Sequence, residues 1–232
     1  FTAERAEACY GRTPEVLPLG ADAALYAPPA RVGDYALYVG RLAPEKGVAR
    51  LLEWSAATPI ALEVVGAGSA ANHARLAPLV GTQARLRGPL TGASLAALYA
   101  GARFFAFTPY AEEFGLAALD AMAAAKPVIA VREGALPELV EDGVTGFLVR
   151  DAAEYQRAAE RLIADDALCL RMGLAARARA HDYTWERYAQ RIEALCERAH
   201  ARHQALTAPS SSGWKIRSMG RLKRRAILRG AP

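Results

Sequence analysis

Continuous apolar runs alternate with helix-like segments between residues 35 and 150, and this alternation constrains the fold more than any other feature of the sequence. Runs without polar residues at alternate positions are typical of strands that are buried on both faces. Such strands, separated by helices, predict an α/β, Rossmann-like domain with a mainly parallel sheet covered by helices on both faces. The predicted strands are residues 35–40, 60–65, 84–87, 103–108, 127–131 and 143–149.

The segments on either side of this alternation have weaker patterns. From residue 151 to about residue 203, three helical patterns predict a helical C-terminus. Before the first strong strand, residues 1–12 predict a short helix, and residues 16–22 predict a short strand followed by a turn. Because ligands of parallel sheets bind beyond the carboxyl ends of the strands, the motifs at these ends are the candidates for function.

The charge of the sequence is unevenly distributed. Seven of the 29 basic residues and none of the 24 acidic residues lie in residues 213–232, so the rest of the chain holds 22 basic residues and is slightly acidic. This balance gives no support to nucleic-acid binding by the folded part. Two interpretations of the basic tail stay open: contact with an anionic membrane surface, or a solvated, disordered segment. Vesicle sedimentation with and without residues 209–232 distinguishes them.

Several functional classes find no support in the sequence. No run of 18 apolar residues is present, so no membrane-spanning helix is expected. The three cysteines are widely spaced and odd in number, which indicates the reduced thiols of a cytoplasmic protein. The four histidines show no metal-ligand spacing with cysteines or acids, so no metal is expected.

The loop between the strand at 103–108 and the following helix carries two acids, Glu112 and Glu113. The amides of residues 114–117 begin that helix; they have no partners within it and carry the positive end of its dipole, which suits a phosphate oxygen. Asp120 lies roughly 7–8 Å further along the helix axis. Two interpretations of these acids stay open: they hold hydroxyl groups of an extended ligand, or they cap the helix.

Two cations and two glycines follow the first two strong strands. Arg41 and Lys46 flank a tight turn, which suits a doubly charged group such as a diphosphate, with solvated surface charge as the alternative. Gly66 and Gly68 fall short of a dinucleotide fingerprint, because that motif needs a third glycine and an acid at the end of the next strand. We therefore interpret them as a strand-exit turn that could line a ligand.

Together these segments resemble the donor-binding C-terminal half of the retaining glycosyltransferases of family 4, which have the GT-B fold. Each segment is modest alone, but their order and spacing over residues 35–150 make the resemblance specific. The residues that carry it are 39–42, 44–47, 65–68, 112, 114–116, 120–123, 126–130, 136–138 and 142–149.

The resemblance implies a role for each matching residue. Arg41 and Lys46 would neutralise the nucleotide diphosphate, Glu112 would hold hydroxyls of the donor sugar, and the amides of Phe114–Leu116 would approach sugar and phosphate. Asp120, the second acid of the E-x7-E motif, would meet the ribose. The implied catalytic residues are Arg41, Lys46 and Glu112, and the implied donor-binding residues are Gly40, Gly66, Gly68, Arg87, Pro89, Leu90, Glu113, Phe114, Gly115, Leu116 and Asp120.

The chain also departs from the family pattern. Asp120 stands where the family usually has Glu, so its reach toward the ribose is one methylene shorter. Family members carry an N-terminal acceptor-binding domain, and this chain begins where the connector between the two domains would lie. The resemblance thus implies a connector and domain edge at 1–34, a Rossmann-like donor-binding domain at 35–205 and a basic tail at 206–232, with this fragment inactive alone.

The implied function is transfer of a hexosyl group from a nucleotide-diphosphate sugar to a glycan, lipid-linked glycan or other acceptor, as in cell-envelope glycan biosynthesis. No cofactor is implied, and the enzyme would be cytoplasmic, with peripheral membrane contact if the tail binds lipid. The alternative is a non-catalytic nucleotide-sugar-binding module, or a subunit that needs a separate acceptor-binding partner. A third hypothesis is another enzyme class with the same fold, such as a sugar-phosphate phosphorylase or a nucleotide-sugar epimerase.

Overall fold

The structure is a computed structural model that describes residues 1–26 and 31–207. Within this part of the chain, six strands form one sheet whose neighbouring strands are all parallel. The strands are β1 (Tyr35–Val39), β2 (Ala61–Val65), β3 (Ala84–Leu86), β4 (Ala102–Phe107), β5 (Val128–Val131) and β6 (Gly146–Val149). Their order across the sheet is β3-β2-β1-β4-β5-β6.

Helices connect the strands and complete the domain. The α-helices are α1 (Thr2–Tyr10), α2 (Val48–Ser55), α3 (Ala70–Leu76), α4 (Gly92–Gly101), α5 (Leu116–Ala123), α6 (Leu136–Leu139), α7 (Ala152–Ala164), α8 (Asp166–Ala180) and α9 (Trp185–Thr207). Short 3₁₀ helices lie at Ala23–Leu25, Pro44–Lys46 and Ala77–Leu79. Helix α2 packs against α7, and α5 packs against α8.

The sheet is buried on both faces, as the apolar runs predicted. Phe104 and Phe105 of β4 are adjacent and both fully buried. Successive side chains of a strand point to opposite faces, so both faces of the sheet are covered at this position. The prediction of a Rossmann-like α/β domain with a helical C-terminus is confirmed.

The strand order reverses between β1 and β4, and this reversal places the candidate residues side by side. From β1 the chain proceeds to β2 and β3 on one side, and it then returns to β4 and continues to β5 and β6 on the other. A crevice opens outside the carboxyl ends of the strands at such a switch point. Residues 40–47 follow β1 and residues 108–115 follow β4, so the two segments meet there.

Three of the predicted elements differ from the structure. The strand predicted from residue 143 begins at Gly146, because the amides of Val144 and Thr145 donate to the carbonyl of Glu141 in a turn. Residues 16–20 form no strand, and Ala21 makes a single bridge to Thr184, because Pro18 has no amide hydrogen to donate to a ladder. The helix predicted from Lys46 starts two residues later, at Val48, because Gly47 adopts a left-handed conformation with φ of 65°. Lys46 instead ends a 3₁₀ turn.

The chain divides into two compact units. Residues 1–193 form the first, which contains the sheet, and the second begins at Ala194 and is helical over its described residues, 194–207. No helix in the described part of the chain has both the length and the apolar character needed to cross a bilayer. Of the predicted basic tail at 206–232, the first two residues belong to α9, and residues 208–232 lie outside the described residues.

The C-terminal end of α5 holds an alanine in a conformation that favours glycine. Ala125 has φ of 56°, and the amide of Lys126 donates to the carbonyl of Ala121 at 2.9 Å, as in a Schellman cap. We expect the Ala125→Gly variant to be about 1 kcal/mol more stable than Ala124→Gly, since both lose one buried methyl group but only the first relieves left-handed strain. Urea unfolding measures this difference, and equal stability of the two variants would contradict it.

Candidate active site

A half-buried ion pair lies at the switch point of the sheet. Lys46 ends the turn that follows β1, and Glu112 lies in the loop that follows β4. The Nζ atom of Lys46 is 2.8 Å from Oε2 of Glu112, and the two side chains are 23% and 12% exposed. The structure therefore joins the predicted diphosphate cation to the predicted sugar-binding acid.

Backbone contacts hold the two loops together. The Thr108 hydroxyl donates to the carbonyl of Gly47 at 3.0 Å, and the amide of Tyr110 donates to the carbonyl of Glu45 at 2.8 Å. Each of these bonds joins the segment that carries Lys46 to the segment that carries Glu112. The positions of the two charged groups are thus set by the main chain as well as by their own attraction.

The main chain of Glu112 is fixed on its other side by the turn after β5. Its carbonyl accepts a hydrogen bond from the amide of Ala135 at 2.8 Å. Gly134 lies so close that a Cβ atom there would be 2.4 Å from the Glu112 carbonyl oxygen. Ala111, just before Glu112, has φ of 49°, which places a non-glycine residue in the left-handed region. Glu112 is therefore held in a strained, well-bonded loop.

The start of α5 faces the same place. Gly115 precedes the helix with φ of 97°, and no described side chain caps it. The interpretation of Glu112 as a helix cap is wrong, because its carboxylate is bonded to Lys46 instead. The amides of the first turn thus keep the positive end of the helix dipole available to an anion.

A cavity of about 290 Å³ opens between these elements. It brings together the predicted residues Gly40, Lys46, Glu112, Glu113, Phe114, Gly115 and Leu116, and the other lining residues are Leu19, Val39, Phe107 and Ala117. One end of the cavity offers an ammonium group and helix amides, and beside them is a carboxylate. This combination suits a ligand that carries both an anionic group and hydroxyl groups.

Other predicted residues lie on neighbouring turns. Arg41 is 68% exposed and pairs with Glu45 at 3.0 Å. Arg87 makes a two-point ion pair with the buried Glu63, at 2.6 and 2.9 Å, and so faces β2. Pro89 and Leu90 follow it in the loop after β3. Donor binding by these residues stays a prediction.

The two glycines after β2 have packing roles in this structure. A Cβ atom on Gly66 would be 1.8 Å from the carbonyl oxygen of Gly40, and one on Gly68 would be 2.8 Å from Cβ of Leu42. The amide of Gly66 donates to the carbonyl of Gly88 at 3.0 Å. These close approaches agree with the interpretation of a strand-exit turn, and donor binding by the two glycines stays a prediction.

Asp120 packs against a residue that the sequence analysis did not connect with it. Burial raises the pKa of the Asp120 carboxyl to about 6, and a hydrogen bond from Tyr26 opposes this rise. Tyr26 is buried, and burial together with the charge of Asp120 raises the pKa of its hydroxyl. Asp120 is not among the residues that line the cavity with Lys46, so its contact with a ribose stays a prediction.

The raised pKa of Asp120 predicts a pH-dependent effect of its replacement. The folded protein binds this proton more tightly than the unfolded chain, so the contribution of Asp120 to stability is full below pH 3.8 and is lost as the pH rises through 6. We expect Asp120→Asn to raise the free energy of unfolding by about 3 kcal/mol at pH 8 and by about 1 kcal/mol at pH 4.5. Urea titrations at both pH values measure this, and equal gains would contradict it.

Several residues that shape the site have no sequence signal. The buried Tyr38 donates its hydroxyl hydrogen to the carbonyl of Arg41 at 3.1 Å, and burial raises its pKa. Arg50 bonds to carbonyls of the loop after β4, and Leu19 lines the cavity from the N-terminal segment. Tyr38 and Leu19 act through backbone atoms or apolar contacts, and Arg50 reaches the loop through its carbonyl oxygens; no spacing of residue types reveals such contacts.

Other cavities also lie near the sheet. One of about 510 Å³ is mainly apolar, is lined by residues of the N-terminal segment and α6, and shares Leu19, Glu113 and Phe114 with the candidate site. Another, of about 310 Å³, lies beyond β5 and β6 and is lined by Arg132, Arg150, Arg157 and Arg161. In the described part of the chain, no three His, Cys, Asp or Glu side chains stand close enough together to hold a metal ion.

The sequence matches a family model and several curated proteins. Residues 33–165 match the model described as Glycosyl transferases group 1. D-inositol 3-phosphate glycosyltransferase of Corynebacterium efficiens is 34% identical over 178 residues, which cover 70% of this chain and 42% of that protein. The enzyme of the same name from Streptomyces bingchenggensis is 36% identical over 172 residues, with 66% and 38% covered. The chain thus spans less than half the length of these relatives.

Solved structures share the fold. Sucrose-phosphate synthase from Thermosynechococcus elongatus superposes with a TM-score of 0.77 at 28% identity, over 86% of this chain and 56% of that one. HepE of Anabaena, in complex with UDP, superposes with a TM-score of 0.70 at 25% identity, over 80% of this chain and 58% of that one. Both similarities span most of this chain and little more than half of the solved proteins.

Proposed function

The chain belongs to the group 1 family of glycosyl transferases, and we propose that it is the donor-binding half of a retaining glycosyltransferase of family 4. In this proposal, residues 35–205 hold a nucleotide-diphosphate sugar, and residues 1–34 lead from an N-terminal domain that binds the acceptor. A hexosyl group passes to a glycan, a lipid-linked glycan or another acceptor, and the anomeric configuration is retained.

The observation that carries the proposal is the pair of Lys46 and Glu112 in the cavity at the start of α5. A nucleotide sugar presents two negative charges at its diphosphate and several hydroxyl groups at its sugar. Lys46 and the amides of α5 match the diphosphate, and Glu112 matches the hydroxyls as a hydrogen-bond acceptor. A simple phosphate would use the cation but would leave the carboxylate without a matching group.

The same groups supply the chemistry of transfer. As the bond between the anomeric carbon and the phosphate oxygen breaks, positive charge develops on the sugar and negative charge grows on the diphosphate. Lys46 and the α5 amides stabilise that negative charge, and one such donor typically contributes about 3 kcal/mol. The acceptor oxygen attacks on the same face, and its proton passes to an oxygen of the departing phosphate.

Arg41 can contact the diphosphate only if its side chain leaves its ion pair with Glu45. Its side chain is 68% exposed and is paired with Glu45, four residues later, at 3.0 Å. Exposed pairs of this kind contribute about 0.3–0.5 kcal/mol, so a diphosphate with two charges competes well for the guanidinium. We therefore assign to Arg41 a second contact with the diphosphate, weaker than that of Lys46.

Transfer by the complete two-domain protein tests the proposal. The chain joined to its acceptor-binding half is incubated with UDP-, GDP- and ADP-sugars, and the anomeric configuration of the product is read from its NMR coupling constants. We expect the product to keep the configuration of the donor. An inverted product would contradict the retaining assignment, and nucleotide binding without transfer to any acceptor would favour the non-catalytic module.

A further inference from the structure

Arg50 of α2 is buried against the loop that carries Glu112. The Arg50 side chain, which forms an ion pair with Glu133, is 13% exposed. The Nε and Nη2 atoms donate to the carbonyl of Thr108 at 3.1 and 2.7 Å, and Nη2 also donates to the carbonyl of Pro109 at 2.6 Å. One guanidinium thus bonds two successive carbonyls directly after β4.

The remaining faces of the guanidinium are also occupied. Nη1 pairs with Glu133 at 3.0 Å. The ring of Tyr110 lies 4.0 Å from the Arg50 Cζ atom and the ring of Trp54 lies 5.4 Å from it. A planar, always charged group suits stacking against aromatic rings and a fork of hydrogen bonds at the same time, which an ammonium group cannot do as well.

These contacts lie on both sides of Glu112 in the fold. Arg50 holds residues 108–110, which lead to the left-handed Ala111 and to Glu112. Through Glu133 it also holds the turn whose Ala135 amide donates a hydrogen bond to the carbonyl of Glu112. Within the described part of the chain, Arg50 makes no hydrogen bond or ion pair with the Glu112 side chain, so its influence passes through the main chain.

We propose that Arg50 is the positioning residue that aims the Glu112 carboxylate at the donor sugar, an inference that rests on the proposed function. The diphosphate contacts come from Lys46 and from the start of α5, which Arg50 does not bond. Loss of the guanidinium therefore weakens recognition of the sugar more than recognition of the nucleotide. Arg50 sets the preference for a nucleotide sugar over the nucleotide alone.

Arg103 provides a matched control at the opposite end of β4. Its side chain is 12% exposed, and it donates to the carbonyls of Leu162 and Ile163 at 2.6 and 2.8 Å and pairs with Asp166. It is thus buried and bonded much as Arg50 is, but away from the candidate site. Arg50→Met and Arg103→Met each remove one guanidinium group, but only Arg50 contacts the loop of Glu112.

Calorimetric titration of the 232-residue chain with UDP and with UDP-glucose measures the preference for a nucleotide sugar over the nucleotide alone. The same comparison is made for GDP and ADP, each against its nucleotide sugar. We expect Arg50→Met to weaken binding of the nucleotide sugar about tenfold, which is the contribution of one hydrogen bond to a charged group, and to change nucleotide binding less than twofold. Arg50→Lys should recover part of the loss, and Arg103→Met should change neither affinity. Equal weakening of both ligands by Arg50→Met, or none, would overturn the inference.

Hydrogen exchange gives a second readout that needs no ligand. The amide of Tyr110, in the Glu112 loop, donates to the carbonyl of Glu45, and the amide of Ala135 donates to the carbonyl of Glu112. We expect both amides to exchange faster in Arg50→Met and not in Arg103→Met. Unchanged exchange at both amides would overturn the positioning role while leaving the proposed function intact. If the unchanged chain bound no nucleotide at all, the proposed function would fall and this inference with it.

Discussion

Replacing Lys46 with Met is expected to weaken the binding of a nucleoside diphosphate by roughly 100-fold, or about 3 kcal/mol. Met keeps most of the length of the apolar stem but removes the charge. The Lys46 side chain is only 23% exposed, so its ammonium group acts on a phosphate in a lower effective dielectric than a surface cation does. The change also leaves the carboxylate of Glu112, whose side chain is 12% exposed, without the cation that pairs with it. The unpaired carboxylate then repels an incoming phosphate.

Three comparisons separate this effect from general damage. A nucleoside without phosphates should bind the Lys46→Met variant as it binds the unchanged chain, because the lost contact is with the diphosphate. Arg41→Met should weaken diphosphate binding less, and Arg150→Met should not weaken it, although both arginines are exposed and pair with a glutamate four residues later. Calorimetry measures all of these affinities. If the Lys46→Met variant bound the diphosphate as tightly as the unchanged chain does, Lys46 would not be part of the diphosphate site.

Replacing Gly47 with Ala is expected to lower the free energy of unfolding by about 4 kcal/mol. A Cβ atom on Gly47 would lie 1.7 Å from the carbonyl oxygen of Thr108, and the backbone has φ of 65°. The carbonyl is part of the main chain at the end of β4, so the clash is relieved only by separating α2 from β4. The same shift would pull apart the loops of Lys46 and Glu112, because the Thr108 hydroxyl bonds the Gly47 carbonyl.

Gly143→Ala isolates the part of this loss that comes from the backbone conformation alone. Gly143 has φ of 78°, and no atom lies within 4 Å of a Cβ built on it. We expect Gly143→Ala to cost about 1 kcal/mol, the strain of a left-handed alanine. Urea unfolding of the two variants gives the comparison. Equal losses would mean that the close contact between α2 and β4 is not a rigid feature of the fold.

The fold could be predicted from the sequence because its strands are short apolar runs that differ sharply from their surroundings. Phe104 and Phe105 are a clear example, since two adjacent apolar side chains in a strand require cover on both faces. The differences arose where one residue decides the local geometry. Gly47 follows the 3₁₀ turn in the left-handed region, so α2 starts later than predicted. Pro18 prevents a strand that the apolar run around it otherwise favours.

The candidate site could be predicted in part, for a related reason. Lys46, Glu112 and the amides of α5 follow directly after strands, so the parallel sheet alone brings them to one edge. Arg50 could not be found in this way, because its partners are the carbonyls of Thr108 and Pro109, 58 and 59 residues away. Carbonyl oxygens belong to every residue and leave no mark in a sequence. Tyr26 and Asp120 are likewise distant in sequence and meet only in the folded chain.

The central claim is that the diphosphate of a nucleotide sugar binds between Lys46 and the start of α5. A crystal structure of the chain with bound UDP-glucose, or with the nucleotide sugar that binds most tightly, tests it directly. We expect phosphate oxygens within hydrogen-bond distance of the Lys46 Nζ atom and of the first amides of α5, and a sugar hydroxyl bonded to the Glu112 carboxylate. A diphosphate held instead in the arginine-lined cavity at Arg132, Arg150, Arg157 and Arg161 would contradict it.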